Sequence, residues 1–109
     1  MKLLIAIVQD YDANQLLTAL SEAGFRATRI ASSGGFLRMG NSTLLIGVDD
    51  ALVPQVLRII EEHCRQRTEV VPPEIVGDLH EWYPPNLIEV VVGGATVFAV
   101  PVERFERIG

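Results

Sequence analysis

The chain has 109 residues, a length for one domain and no second. It is 49% hydrophobic, with 9 Lys+Arg against 14 Asp+Glu for a net charge of −5. That composition excludes a disordered chain, and the acidic balance argues against a long nucleic-acid backbone as partner.

Leu3 to Val8 is an uninterrupted apolar run, the mark of a strand covered on both faces. Only one basic residue precedes it and no small-residue cleavage site follows, so a strand is expected here and not a signal peptide. Asp10 or Asp12 offers a helix N-cap, and Asp12 with Gln15 has capping-box spacing. Ala13, Leu16, Leu17, Leu20 and Ala23 fall on one helical face, and Gly24 is a C-terminal stop. The spacing predicts a helix over 12–23.

Phe25 to Ala31 reads as a strand, with Arg26 and Thr28 on one face by the two-residue period. Ser32 to Asn41 reads as a loop, and Ser42 to Val48 as another apolar strand interrupted by Gly47. A glycine inside a strand marks either close approach by a ligand or a bulge, and both readings stay open. The whole stretch from Ala23 to Val48 holds Arg26, Arg29 and Arg38 and no Asp or Glu. Inside an acidic protein, that local excess of positive charge suggests a site for a small anion. Gly34-Gly35 can turn successive N–H groups toward one point, Phe36 can cover a base, and Thr28 and Asn41 can read its polar edge. A plain hairpin turn at Gly34-Gly35 is the competing reading.

Asp49-Asp50 is expected to cap a second helix, with Pro54 tolerated near its start. Val53, Val56, Leu57, Ile60 and Cys64 form its apolar face, with Ile59 beside them. His63 reads as a solvated surface residue. The lone Cys64 cannot form an internal disulfide, which suits a reducing cytoplasm. His63 and Cys64 point about 100° apart on a helix, a poor metal pair. From Arg65 to Asn86 the prolines at 72, 73, 84 and 85 break regular structure, so a long connection is expected. His80, Glu81, Trp82 and Tyr83 lie in it. Leu87 to Val92 and Ala95 to Val100 read as two strands of a hairpin about Gly93-Gly94. Pro101 to Phe105 reads as the start of a short helix.

The element order is that of an α+β, ferredoxin-like βαββαβ sandwich with an extra C-terminal hairpin strand. Two helices cover one face of such a sheet, yet the strands are apolar on both, so another copy of the chain is expected on the second face. No apolar run approaches the roughly 20 residues of a membrane helix, so no membrane insertion is expected. No Ser/His/Asp grouping suggests an enzyme, and one cysteine with two scattered histidines is a poor metal set. Neither a catalytic residue, a metal site nor a cofactor is expected.

AIVQD at 6–10, GFRAT at 24–28, GGFLR at 34–38, GN at 40–41 and GGATVF at 93–98 resemble the PstA (also called DarA) family. Those proteins are PII-like signal transducers that bind cyclic di-AMP. The resemblance covers most of 1–64 and 88–106. It implies a PII-like homotrimer with the ligand at each subunit interface, reporting to an unknown downstream protein. It further implies that Arg26, Ala27, Thr28, Gly35, Phe36, Leu37, Asn41 and Gly47 line the site, with Gly93 and Gly94 from the terminal hairpin as further candidates. Two readings share the fold: a PII-like trimer for ATP or another adenine nucleotide, and a metal-binding trimer of the CutA type. The phosphate-binding loop motif G-x-x-x-x-G-K-[ST] is absent.

Overall fold

The computed structural model describes residues 1–32, 40–71 and 88–109. In chain order these form β1 (Lys2–Gln9), α1 (Asp10–Glu22), β2 (Ala27–Ser32), β3 (Asn41–Val48), a 3₁₀ turn (Asp50–Leu52), α2 (Val53–Cys64), β4 (Arg67–Val71), β5 (Ile88–Val92) and β6 (Ala95–Pro101). Four strands make an antiparallel sheet in the order β2-β3-β1-β6, and β4 pairs with β5 in a separate ribbon. The sheet order and two crossover helices are the ferredoxin-like arrangement.

β1 lies at the centre and pairs along its length with both β3 and β6. Strand alternation sends Leu4, Ala6 and Val8 to one face, with Leu44, Ile46 and Val48 beside them on β3. Ala13, Leu16 and Leu20 of α1 and Val56, Ile60 and Cys64 of α2 close this core from above. Each large side chain buried here contributes about 1.5–3 kcal/mol. Both helices lie on that one face. Leu3, Ile5, Ile7 and Leu45 point the other way, joined across the register by Phe98 and Val100 of β6, which are 54% and 41% exposed. No helix among the described residues covers this second face, which is apolar.

α1 starts two residues earlier than its periodicity implies, and neither aspartate caps it. Gln9 is the N-cap, without a side-chain hydrogen bond. Ser42 Oγ donates to Asp10 instead, and Asp12 turns into the protein, where it is fully buried. The C-terminus ends in a Schellman pair: Gly24 N donates to Ser21 O at 3.0 Å and Phe25 N to Leu20 O at 2.9 Å, with Gly24 at φ +89°. Pro54 is the second residue of α2, where its missing N–H costs nothing. Leu57 is not in the core: it is 41% exposed, while Val53 and Ile59 are only partly buried. His63 is half-buried, its Nδ1–H donating to Ile59 O at 2.9 Å.

Further sequence expectations change. Arg67–Val71 is a strand, hidden in what reads as a structureless connection; residues 72–87, with His80, Glu81, Trp82 and Tyr83, lie outside the described residues. Gly93-Gly94 is not a hairpin turn, because β5 pairs with β4 and β6 with β1. The two glycines, at φ +92° and +95°, swing the chain from the ribbon to the main sheet. A Cβ at Gly93 would lie 2.3 Å from Arg65 O, so only glycine passes. The extra strands thus precede the last sheet strand and are not a C-terminal addition. Residues 102–109 form no helix; the segment runs out from β6 with Val102 N donating to Met1 O at 3.1 Å. Among the described residues no helix is long and apolar enough to cross a membrane.

The ribbon is held to the sandwich by Arg67. Its guanidinium donates to both oxygens of buried Asp12, at 2.6 and 3.3 Å, to Arg65 O at 3.0 Å and to Glu69 at 3.0 Å. Arg67→Ala leaves the Asp12 carboxylate buried without a cation, so a loss of about 3 kcal/mol is expected in chemical denaturation. Pairing Arg67→Met with Asp12→Leu should recover most of it, because the orphaned charge is then gone. Cys64 lies beneath this contact, and burial, reinforced by the Asp12 charge, pushes its thiol up to about 11 from an ordinary 9.0. Since the thiolate is the nucleophile, native protein at pH 8 should react with a maleimide at least about a hundredfold more slowly than denatured protein. The unfolded thiol loses its proton first, so stability should decline as pH rises from about 9 to about 11.

Candidate ligand-binding site

The uncovered sheet face carries a pocket of about 400 Å³ at the end where β1 begins. Leu3 of β1 and Leu45 and Gly47 of β3 form its floor, Arg26 and Thr28 one wall, and Met1, Val102 and Phe105 the other. The register explains why these meet. Leu3 pairs with Gly47 and Thr28 with Leu45, so all four share a face, and Arg26 stands one step before β2 on the same side.

Arg26 is the one charged side chain among the described residues that line the pocket, and it is exposed. A guanidinium above an apolar floor, beside a threonine hydroxyl, can take a phosphate and leave a flat ring against the leucines. Gly47 lies in unbroken register with Leu3, so it is no bulge; the bulge falls between Arg29 and Ala31 on β2. Nothing lies within 4 Å of where a Gly47 Cβ would stand. Its missing side chain opens room into the pocket. A neighbouring pocket of about 320 Å³, lined in part by Gly24, Phe25, Asp49 and Leu52, shares Met1, Arg26 and Gly47 with it.

The other expected residues are distributed differently. Arg29 faces the helices and donates to Asn14 Oδ1 at 3.3 Å, so it leaves the anion cluster suggested by the run of arginines. Ala27 packs against the core, and only its backbone can reach the pocket side. Asn41 shares the open face with Gly47 but stands six residues away, roughly 20 Å along the strand. It pairs with Gln9, whose Oε1 accepts from Gly93 N at 2.7 Å, while Gly94 N donates to Cys64 O. Asn41, Gly93 and Gly94 therefore form a second cluster at the opposite end of the sheet. Gly35, Phe36 and Leu37, with Gly34 and Arg38, lie outside the described residues.

The second cluster borders the contacts that seat the ribbon. Asp10 N donates to Gly40 O at 2.8 Å, next to Asn41. Tyr11 Oη donates to Glu69 at 2.5 Å, and the Arg67 guanidinium lies 5.7 Å from the Tyr11 ring centroid. The hydrogen bond to Glu69 raises the Tyr11 phenol above its usual value, and the same bond, with that from Arg67, holds Glu69 low. The Asp12 contact raises Arg67 in turn. These groups stay in one charge state near neutrality, so they brace the region and do not exchange protons.

Sequence reasoning missed Met1, Leu3, Leu45, Val102 and Phe105 as lining residues. Alternation alone could have supplied Leu3 and Leu45. Nothing local signals Val102 or Phe105, because their position depends on where β6 leaves the sheet.

A family model described as cyclic-di-AMP receptor matches residues 1–108. Among solved structures, the crystal structure of a functionally unknown protein from Pediococcus pentosaceus ATCC 25745 is 43% identical in sequence. The match covers 98% of this chain and 96% of that one, with a TM-score of 0.77.

Proposed function

The chain belongs to the cyclic-di-AMP receptor family, and on that premise we propose that it is a PII-like signal-transduction protein that binds cyclic di-AMP where copies of the chain meet. The observation that carries this reading is the pocket on the open sheet face, which gathers Arg26, Thr28 and Gly47 over an apolar floor.

Cyclic di-AMP presents two phosphates and two adenines. The pocket suits one base with its phosphate: about 400 Å³ is near the low end for ligand sites. The second cluster, Asn41 with Gly93 and Gly94, offers an amide edge and backbone groups some 20 Å away on the same chain. One compact ligand spans both only if they come from different copies. The apolar face of Ile5, Ile7, Phe98 and Val100 supports such contact, because a patch of that kind is seldom left in water. The number of copies we propose, three, is the one that the PstA/DarA resemblance implies. Gly35, Phe36 and Leu37 complete the proposed site, with Phe36 covering a base. No covalent step is involved: the ligand shifts the population of conformations that a downstream protein of the cytoplasm reads.

Calorimetric titration should show cyclic di-AMP binding more tightly than ATP, ADP, AMP or cyclic di-GMP. Stronger binding of ATP would transfer the site to an adenine mononucleotide. Arg26→Ala should weaken binding about tenfold to a hundredfold, as loss of a charge-assisted hydrogen bond does, with the melting temperature unchanged because Arg26 is exposed. Gly47→Leu should fill the pocket and abolish binding while the protein still folds, given the open space there. Sedimentation equilibrium should return three times the chain mass of 12.0 kDa.

A further inference from the structure

We propose that the C-terminal segment is part of the ligand site, with Phe105 as the aromatic wall against which an adenine ring lies; this rests on the function proposed above. Met1 and Val102 extend the β1–β6 register by one step, since Lys2 pairs with Pro101 and Val102 N donates to Met1 O. The chain thus leaves the sheet at the mouth of the pocket. Three residues later Phe105 lines that pocket together with Arg26, Thr28 and Gly47.

Phe105 is 68% exposed, so its ring adds little to the core and keeps a face open. It is the one aromatic among the described lining residues. The floor next to it is aliphatic, from Leu3 and Leu45, and the absent side chain of Gly47 leaves room over that floor. A flat, apolar-faced base fits between such surfaces, with its phosphate directed to Arg26. Beyond Val102 the segment makes no further hydrogen bond to the domain among the described residues. Its one ion pair, Arg104 to Glu106 at 2.7 Å, is local and exposed. The segment is anchored at one end and can settle onto a bound ring, as a stacking wall must.

The test titrates cyclic di-AMP into the unaltered protein and into Phe105→Ala, Phe105→Tyr and Arg26→Ala. Phe105→Ala should bind about tenfold more weakly, the loss typical of one base–aromatic stack. Phe105→Tyr should stay within about twofold of the unaltered protein, and neither change should move the melting temperature of the ligand-free protein. Saturating ligand should also slow tryptic cleavage after Arg104 and Arg107. Unchanged affinity in Phe105→Ala, alongside weakened binding in Arg26→Ala, would overturn the role of the segment and leave the site itself standing. A lowered melting temperature in Phe105→Ala would make the ring a packing residue and overturn the proposal too. Absence of binding by the unaltered protein would remove the functional reading and this inference together.

Discussion

The alternation of β1 is the constraint on which the remaining structure depends. Six consecutive apolar residues, Leu3 to Val8, leave the strand nothing polar to show on either side. Pairing on both edges then fixes which three are sealed by helices and which three are not. A slip of one residue would put Leu3, Ile5 and Ile7 where Leu4, Ala6 and Val8 now pack, placing an isoleucine on the site of Ala6 beneath the helices, so side-chain size, not polarity, holds the register. The same register sets Leu3 beside Gly47 and Ile5 beside Phe98. Core and pocket floor are thus two consequences of one alignment.

A second concentration of contacts lies where β1 becomes α1. Within four residues, Gln9 accepts from Gly93, Asp10 is bonded to both Gly40 and Ser42, and Asp12 holds Arg67. Asp12 is tolerable in the interior only because a guanidinium arrives from 55 positions away. These four residues therefore seat the start of β3, the crossover glycines and the ribbon together. The segment leading to Asn41 and the arm formed by β4 and β5 share one support. The start of β3 and the ribbon are thus joined by a short chain of hydrogen bonds through Asp10 and Asp12.

What could be read from the sequence follows from how local each signal is. The core strands and both helices declare themselves by periodicity, and Gly24 ends α1 as its position implies. Arg26 and Thr28 share a face because nothing interrupts the two-residue period between them. Arg29 carries the same charge and misses the pocket by that same period. The failures are non-local. Arg67-Thr68-Glu69 looks like solvated polar chain until Asp12 and Tyr11 are placed beside it. Gly93-Gly94 has the form of a hairpin turn, and only the closeness of Arg65 O shows that the glycines serve a crossover. Pro101 to Phe105 has a helix-like opening, but there is no core face for such a helix to cover, and Phe105 goes to the pocket.

The split of the expected site residues between two ends of one sheet bears on how the protein works. Arg26, Thr28 and Gly47 cannot meet Asn41 and Gly93 within a chain whose strands hold them roughly 20 Å apart. In a closed ring, each copy offers one end to the neighbour before it and the other end to the neighbour after, which is the geometry of a heterologous interface. The proposed trimer converts two half-sites per chain into one whole site per interface. Binding and assembly then become linked: a ligand that contacts two copies stabilises their contact by RT ln(1 + [L]/Kd), which grows with the logarithm of its concentration. The apolar face need not hold the copies together unaided, and the polar ends need not bind the nucleotide unaided. Each supplies what the other lacks.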